Sequence, residues 1–395
     1  MNGTSIRDAN RSDSNITAAL ADRRVVFVFH MLELGGAERQ AMLLAKHLAD
    51  KAACQVEVVG FCNPGRLARL CEENGFAWRI IPASPLCGRR RFPARLLRLT
   101  LGLRKLRPDV LMPYTVAPNV MCGALWRFTG ARTCIWNQRD ESERSHRRWL
   151  ERLAVRQTPR FIANSRGGAR FLTETLGADP GRVLVIRNGV RLDAPKLDRA
   201  GWRAKLAIAE DAVVCTMVAN LQKNKDHETL LRAWRFLIDS RSDSAPHPVL
   251  LLAGRPAGTE DRLLELAREL GISEGVRFLG PVDDIAGLLE ASDIGVHSSL
   301  AEGCPNSVLE FMLAGLPVVG TDIEGIRDVV GEESYPLLAP VRDAEALADR
   351  IRLLVDSADL RARYGSANAT RAVEEFSPQV MCERMTSAIA GALGK

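Results

Sequence analysis

Ser298-Ser299-Leu300-Ala301-Glu302-Gly303-Cys304-Pro305-Asn306-Ser307-Val308-Leu309-Glu310, continued by Ala314-Gly315-Leu316-Pro317-Val318-Val319, is the stretch on which the fold turns. A β-rich run, 293–297, leads into it. Gly303 and Pro305 break regular structure, and an apolar helical pattern opens near Asn306. A second β-rich run, 317–320, follows the helix. Strand, Gly/Pro loop, helix and strand in that order make the repeating unit of a parallel sheet. Asn306 reads as the helix N-cap, leaving N–H groups of Asn306 and Ser307 at the positive helix end. That end suits a diphosphate. Glu302 in the loop and Glu310 one turn inside the helix are placed to accept hydroxyl hydrogen bonds from opposite ends of one ligand, as a sugar and a ribose require. The eight-residue separation alone carries nothing, since Glu143/Glu151 and Glu324/Glu332 repeat it outside this context.

Working outward, the same alternation fills the chain. Strand candidates are 25–30, 55–61, 78–81, 109–113, 132–136, 160–163 and 183–187, with helical patterns at 37–49, 93–106 and 166–176. A charged, strand-poor linker with a short helix spans 191–210. A second series of strands then runs 213–219, 249–253, 276–279, 293–297 and 317–320, with helical patterns at 226–240, 260–270, 306–314 and 344–356. The expected fold class is α/β, two tandem Rossmann-like domains whose parallel sheets face a central cleft. The expected boundaries are a loose tail at 1–24, domains at 25–192 and 193–376, and a C-terminal helix at 377–395 that either caps the second domain or crosses back over the first. Ligands of open parallel sheets bind at the carboxyl ends of the strands, so chemistry belongs on the loops there.

At 395 residues the chain exceeds one comfortable core. With 46% hydrophobic and 26% charged residues it is neither disordered nor fibrous. No run of about 18 apolar residues reads as a membrane span, and the start lacks the apolar core of a signal peptide. The nine cysteines are odd in number and contain no C-x-x-C pair, so they read as reduced core thiols. No histidine pair, His47 and His146 included, has metal-ligand spacing. The net charge of +6 hides an asymmetry: residues 1–200 hold 34 Lys/Arg and 18 Asp/Glu, residues 201–395 hold 20 and 30. The first half is built to face something anionic.

Three further loops carry chemistry. Val218-Ala219-Asn220-Leu221-Gln222-Lys223-Asn224-Lys225-Asp226-His227 closes a strand and opens a helix, with Lys225 placed to reach a phosphate from the side. Leu34-Gly35-Gly36-Ala37-Glu38-Arg39 follows the first strand, and its paired glycines let backbone approach a ligand closely. It is not G-x-G-x-x-G, so a dinucleotide cofactor is not supported. Asn137-Gln138-Arg139-Asp140 follows the fifth strand and offers Arg139 to a substrate. His30 ends the first strand at the same edge.

Glu302 with Glu310, the tandem α/β halves and the Gly35–Gly36 loop together resemble the retaining glycosyltransferases of family four, which have the GT-B fold. The resemblance runs from about Val25 onward and is most specific over 301–320. It implies a transferase that moves a sugar from a UDP- or GDP-sugar to a hydroxyl acceptor, with no metal and with retention of anomeric configuration. By the same carry-over, Glu302 would hold donor-sugar hydroxyls and Glu310 the ribose. Gly303, Cys304, Pro305, Asn306, Ser307 and Val308 would line the sugar and phosphates. Catalysis would fall to Glu302 and Lys225, the latter stabilising the leaving diphosphate. Family members place an Arg where Asn220 stands; Lys223 is the nearby substitute. Many relatives also place a histidine after the fourth strand, where this chain reads Pro113-Tyr114-Thr115. Tyr114 or Thr115 would then supply a hydroxyl on the sugar or acceptor side, together with His30 and Arg139.

The segment from Arg89 to Arg107 contains eight basic and no acidic residues, interleaved with leucines. Such a helix can lie on an anionic bilayer. This fits a cytoplasmic enzyme at the inner face of the plasma membrane, with a carbohydrate or lipid-linked acceptor in surface-glycan or glycolipid synthesis. No helix-turn-helix, RNP-like aromatic set or zinc finger supports a nucleic-acid partner. The alternatives are a catalytically silent GT-B partner protein, motivated by Asn220 and the absent histidine, and a GT-B sugar-nucleotide epimerase.

Overall fold

The computed structural model describes residues 17–83, 92–139, 148–241 and 247–394. The tail before Thr17, Cys87, Arg89–Arg91, Asp140 and His146 lie outside these residues. The chain forms two compact units, Met1–Gly189 with Pro378–Lys395, and Val190–Ser377.

In the first unit the order is β1 (Arg24–Phe29), α1 (Gly36–Ala52), β2 (Gln55–Gly60), α2 (Arg66–Glu73), β3 (Ala77–Ile80), α3 (Phe92–Lys105), β4 (Val110–Pro113), α4 (Val116–Thr129), β5 (Thr133–Gln138), α5 (Arg148–Gln157), β6 (Arg160–Ala163), α6 (Arg166–Arg170) and β7 (Val183–Val185). The strands form one parallel sheet in the order β3-β2-β1-β4-β5-β6-β7. The strand order reverses at β1, which pairs with both β2 and β4. Period-two alternation divides the core. Val25, Phe27 and Phe29 join α1 and α2 on one face, while Val26 and Val28 join α3, α4 and α5 on the other. The C-terminal helix, Pro378–Leu393, adds Met381, Cys382, Met385 and Ile389 to the α1 face. Buried Gln40 on α1 fastens the place where the chain leaves this unit: it accepts from the Gly189 N–H (2.9 Å) and donates to the Gly189 carbonyl (2.8 Å).

The second unit runs α7 (Arg199–Lys205), β8 (Val214–Val218), α8 (His227–Asp239), β9 (Val249–Ala253), α9 (Glu260–Glu269), β10 (Val276–Gly280), α10 (Ile285–Glu290), β11 (Ile294–His297), α11 (Asn306–Leu313), β12 (Val318–Thr321), α12 (Glu324–Val330), β13 (Leu338–Ala339), α13 (Ala344–Val355) and α14 (Ala358–Glu375). Its parallel sheet has the order β10-β9-β8-β11-β12-β13. The sequence reading had five of these strands and lacked β13, a two-residue edge strand. An ionic joint holds α7 to the strand edge: Asp293 accepts from Arg203 (2.8 Å), Arg199 (2.7 Å) and the Val214 N–H (2.8 Å). Arg203 also donates to the carbonyls of Ala209, Glu210 and Ala212, so both terminal nitrogens of this buried cation are paired. The described cysteines are free thiols, all buried except the half-exposed Cys62.

Candidate functional site

The carboxyl ends of β8 and β11 lie side by side in the second sheet, and their loops build one polar cluster. After β8 the chain makes a 3-10 turn, Lys223–Lys225, before α8. After β11 it runs through Ser298–Gly303 and enters α11. The two loops are tied by the Leu300 N–H donating to the Asn224 carbonyl (2.8 Å) and the Ser298 hydroxyl donating to the Lys225 carbonyl (3.0 Å). Gly325 on α12 lets a third element close in, since a Cβ there would sit 2.0 Å from the Glu302 carbonyl oxygen.

Glu302 is the hub. Its Oε1 accepts from the Lys225 ammonium, from the Ser299 hydroxyl (2.6 Å) and from His297 Nε2 (2.9 Å). The Lys225, Glu302 and His297 side chains keep 17%, 13% and 1% exposure, so the pair is close to dry but reachable. Burial by itself would raise the Glu302 carboxyl. The hydrogen bond and charge of His297, with the Lys225 ammonium, outweigh it and bring the group down to about 2. Glu302 is therefore a fixed anion at working pH, suited to accept hydroxyls and unsuited to donate a proton. The Ser307 hydroxyl stands 3.4 Å from His297 Nδ1. The imidazole thereby links the loop to the first turn of α11.

The sequence reading is corrected at the helix start. Pro305 (φ −72°, ψ 113°) occupies the cap position, and Asn306 is the first helical residue. Proline presets that backbone, and its carbonyl accepts from the Val308 and Leu309 N–H groups (3.1 and 3.2 Å). The helix end still presents first-turn N–H groups, from Asn306 and Ser307. Glu310 lies one turn in and is half-buried. Cys304, between Gly303 and Pro305, is buried, whereas Lys223 is exposed. Asn220 is exposed too; its Oδ1 accepts from the Arg255 N–H (3.3 Å). Arg255, two residues past β9, meets Asn220 through its backbone, a contact the sequence reading did not contain.

The other expected residues belong to the first unit. Gly35 precedes α1, and its N–H donates to Glu38 Oε2 (3.1 Å). Gly36 is the first residue of the helix. Burial raises the Glu38 carboxyl, against the hydrogen bonds of Gly35 and its own N–H and the charge of Arg139. Arg139 lies 4.9 Å over the Tyr114 ring and donates to Asn188 Oδ1 (3.1 Å). His30 is half-buried with its ring edge-on to Phe61. Tyr114 departs from the expectation of an offered hydroxyl: it is fully buried and stacked on Phe27 and Phe29. Thr115 holds φ +67°, ψ 169°, a strained backbone for a β-branched residue. His297 and Ser299, which the sequence reading left as mere strand ends, are partners of Glu302.

Two Rossmann-like units, each with one parallel sheet, are the architecture of the GT-B fold. Residues 34–194 match the model described as Glycosyltransferase Family 4, and residues 198–371 that of Glycosyl transferases group 1. A D-inositol 3-phosphate glycosyltransferase of Streptomyces scabiei is 32% identical over 370 residues, covering 86% of this chain and 83% of that protein. The chain belongs to this glycosyltransferase family. Against the equally named Rhodococcus erythropolis enzyme, at 34% identity, the match spans 60% of this chain and about half of that protein's length, 55%. The Anabaena Alr3699/HepE structure with UDP-glucose superimposes with a TM-score of 0.79 at 21% identity, over 93% of this chain and 99% of that one. A Rickettsia africae glycosyltransferase gives 0.80 at 18% identity, covering 95% and 99%. Both show the fold.

Proposed function

We propose that this glycosyltransferase takes its sugar from a UDP- or GDP-sugar bound at the β11–α11 loop and passes it, with retention, to a hydroxyl acceptor. The Lys225–Glu302 pair at that loop carries the reading. Lys225 has three N–H donors, and Glu302 leaves it others to give a phosphate. As the bond from the anomeric carbon to the phosphate oxygen breaks, charge grows on the departing nucleoside diphosphate. Lys225 and the α11 start would stabilise that charge, with Lys223 as a further cation. These groups take the part a divalent cation plays elsewhere, so the reaction proposed is metal-independent. The acceptor oxygen bonds to the anomeric carbon on the face the diphosphate leaves, and the acceptor proton passes to a diphosphate oxygen. Glu302, a fixed anion, holds sugar hydroxyls; Glu310 holds the ribose.

The UDP-glucose bound by HepE makes that donor the first to try, and the names of the relatives make a phosphorylated cyclitol the first acceptor. Among the described residues no helix is long and apolar enough to cross a membrane. A cytoplasmic enzyme that touches an anionic membrane through α3 and serves surface-glycan or glycolipid synthesis is the setting proposed. The test is transfer from UDP- and GDP-sugars with chelator present, the product's anomeric configuration being read by NMR. Retained configuration without metal supports the reading; inverted product or an absolute need for metal refutes it.

A further inference from the structure

The three helices packed on one face of the first sheet, α3, α4 and α5, are chemically one-sided. Together they contain eight Lys/Arg and a single carboxylate, Glu151, which is buried and paired with Arg148 (3.5 Å). Their inward residues, among them Leu99, Leu103, Met121 and Ala154, fill the core. Their outward faces are not simply polar. Leu97 and Leu101 on α3, Phe128 on α4, and Trp149 and Leu153 on α5 are 37–62% exposed, five large apolar side chains on one helix layer. On α5 the apolar pair and the exposed cations Arg148, Arg152 and Arg156 each recur every four residues, so each set forms a stripe along the helix.

A polyanion needs cations alone and would leave these apolar groups in water. An anionic bilayer takes both: arginines meet headgroup phosphates while leucine, phenylalanine and tryptophan enter the boundary below, and tryptophan favours that interface. We propose that the outer face of the α3–α4–α5 layer docks on an anionic lipid bilayer, with Trp149 and Leu153 of α5 as its inserted anchor. This deepens the membrane-contact reading given for α3 and rests on it; it does not rest on the donor or the reaction.

The experiment is sedimentation of the full-length protein with vesicles of phosphatidylcholine, alone or with phosphatidylglycerol. Binding is expected only with phosphatidylglycerol and weakens as salt rises. Trp149→Ser with Leu153→Ser lowers the partition coefficient at least tenfold, and Arg152→Gln with Arg156→Gln about thirtyfold. Donor turnover with a soluble acceptor stays unchanged. Trp149→Phe, a mild change, removes most of the tryptophan quenching by bromine-labelled lipid chains, which reads insertion even where a harsher variant folds poorly. If variants of Leu97, Leu101 and Arg98 abolish binding while the α5 variants bind as wild type, the α3 reading stands and this proposal falls. If no vesicle binds, both fall, whatever the enzyme does with its donor. Binding to nucleic acid or to an acidic protein with no binding to vesicles assigns the face to that partner and overturns the proposal.

Discussion

Lys225 and Glu302, 77 residues apart in the chain, meet as an ion pair where the loops after β8 and β11 touch. The pair fixes the Lys225 side chain against the Glu302 loop before any ligand arrives. Removing either partner strands the other charge in a site that is mostly dry, which costs about 3–5 kcal/mol in comparable buried pairs. Lys225→Ala is expected to lower kcat about 10²–10³-fold, as loss of a preorganised group facing transition-state charge does. Glu302→Ala is expected to destabilise as well as inactivate. A double-mutant cycle on unfolding free energy checks the coupling: the double variant should lose clearly less than the two single losses added.

Two groups in this cluster make stability depend on pH in adjoining windows. Burial, then the nearby charges of His297 and Lys225, hold the His227 imidazole down to about 4 from 6.5, and neither ring nitrogen has a partner among the described residues. The folded protein prefers that ring neutral, so stability falls as pH drops from about 6.5 to about 4, by about 3 kcal/mol. Glu302 has the opposite chemistry with the same sign. Its depressed carboxyl stabilises the fold above the ordinary value of 4.5, and that contribution is lost as pH falls through about 2. Urea titrations from pH 7 to 4 should show the first slope, and His227→Gln should flatten it. A slope that persists in His227→Gln would refute the assignment.

Thr115 pays for its backbone. Glycine tolerates the positive φ, so Thr115→Gly should raise unfolding free energy by about 1 kcal/mol, the relief of strain less the added chain entropy. Transfer should fall at the same time, because the turn after β4 is no longer held. A variant both less stable and fully active would show that the conformation has no such role.

The Asp293 joint is a purely structural expectation. Arg203→Ala leaves Asp293 without its buried cation and uncaps three carbonyls, for a loss of about 3–5 kcal/mol, read as a lower urea midpoint. UDP-sugar affinity of the folded fraction should stay near wild type.

Much of the fold was legible because glycine, proline and β-branched runs mark the ends of each parallel strand. The β11–α11 loop was the clearest case. What escaped was the facing of single side chains. Val110, Met112 and Tyr114 lie in one core cluster while Leu111 lies in the other, so Tyr114 continues the alternation of β4 into the interior. Counting by twos past Pro113 would have placed it. The same count finds His297: Ile294 and Val296 face one core, and Gly295 presses on Phe311 of α11, where a Cβ would come within 2.5 Å. His297 must therefore share the α11 face, beside Ser307. The cap was misplaced by one residue because Pro305, which has no side-chain hydrogen bond to give, takes the position by its preset backbone angle. β13 has two residues, too few for any periodicity to register.

Calorimetric titration of UDP-glucose and of GDP-sugars into wild type and Lys225→Ala, with chelator present, bears most directly on the central claim. Wild type should bind one donor class without metal, and the variant should bind it at least tenfold more weakly, with UDP or GDP alone losing affinity in parallel. Equal affinity in the two proteins, or binding that appears only when a divalent cation is added, would contradict it.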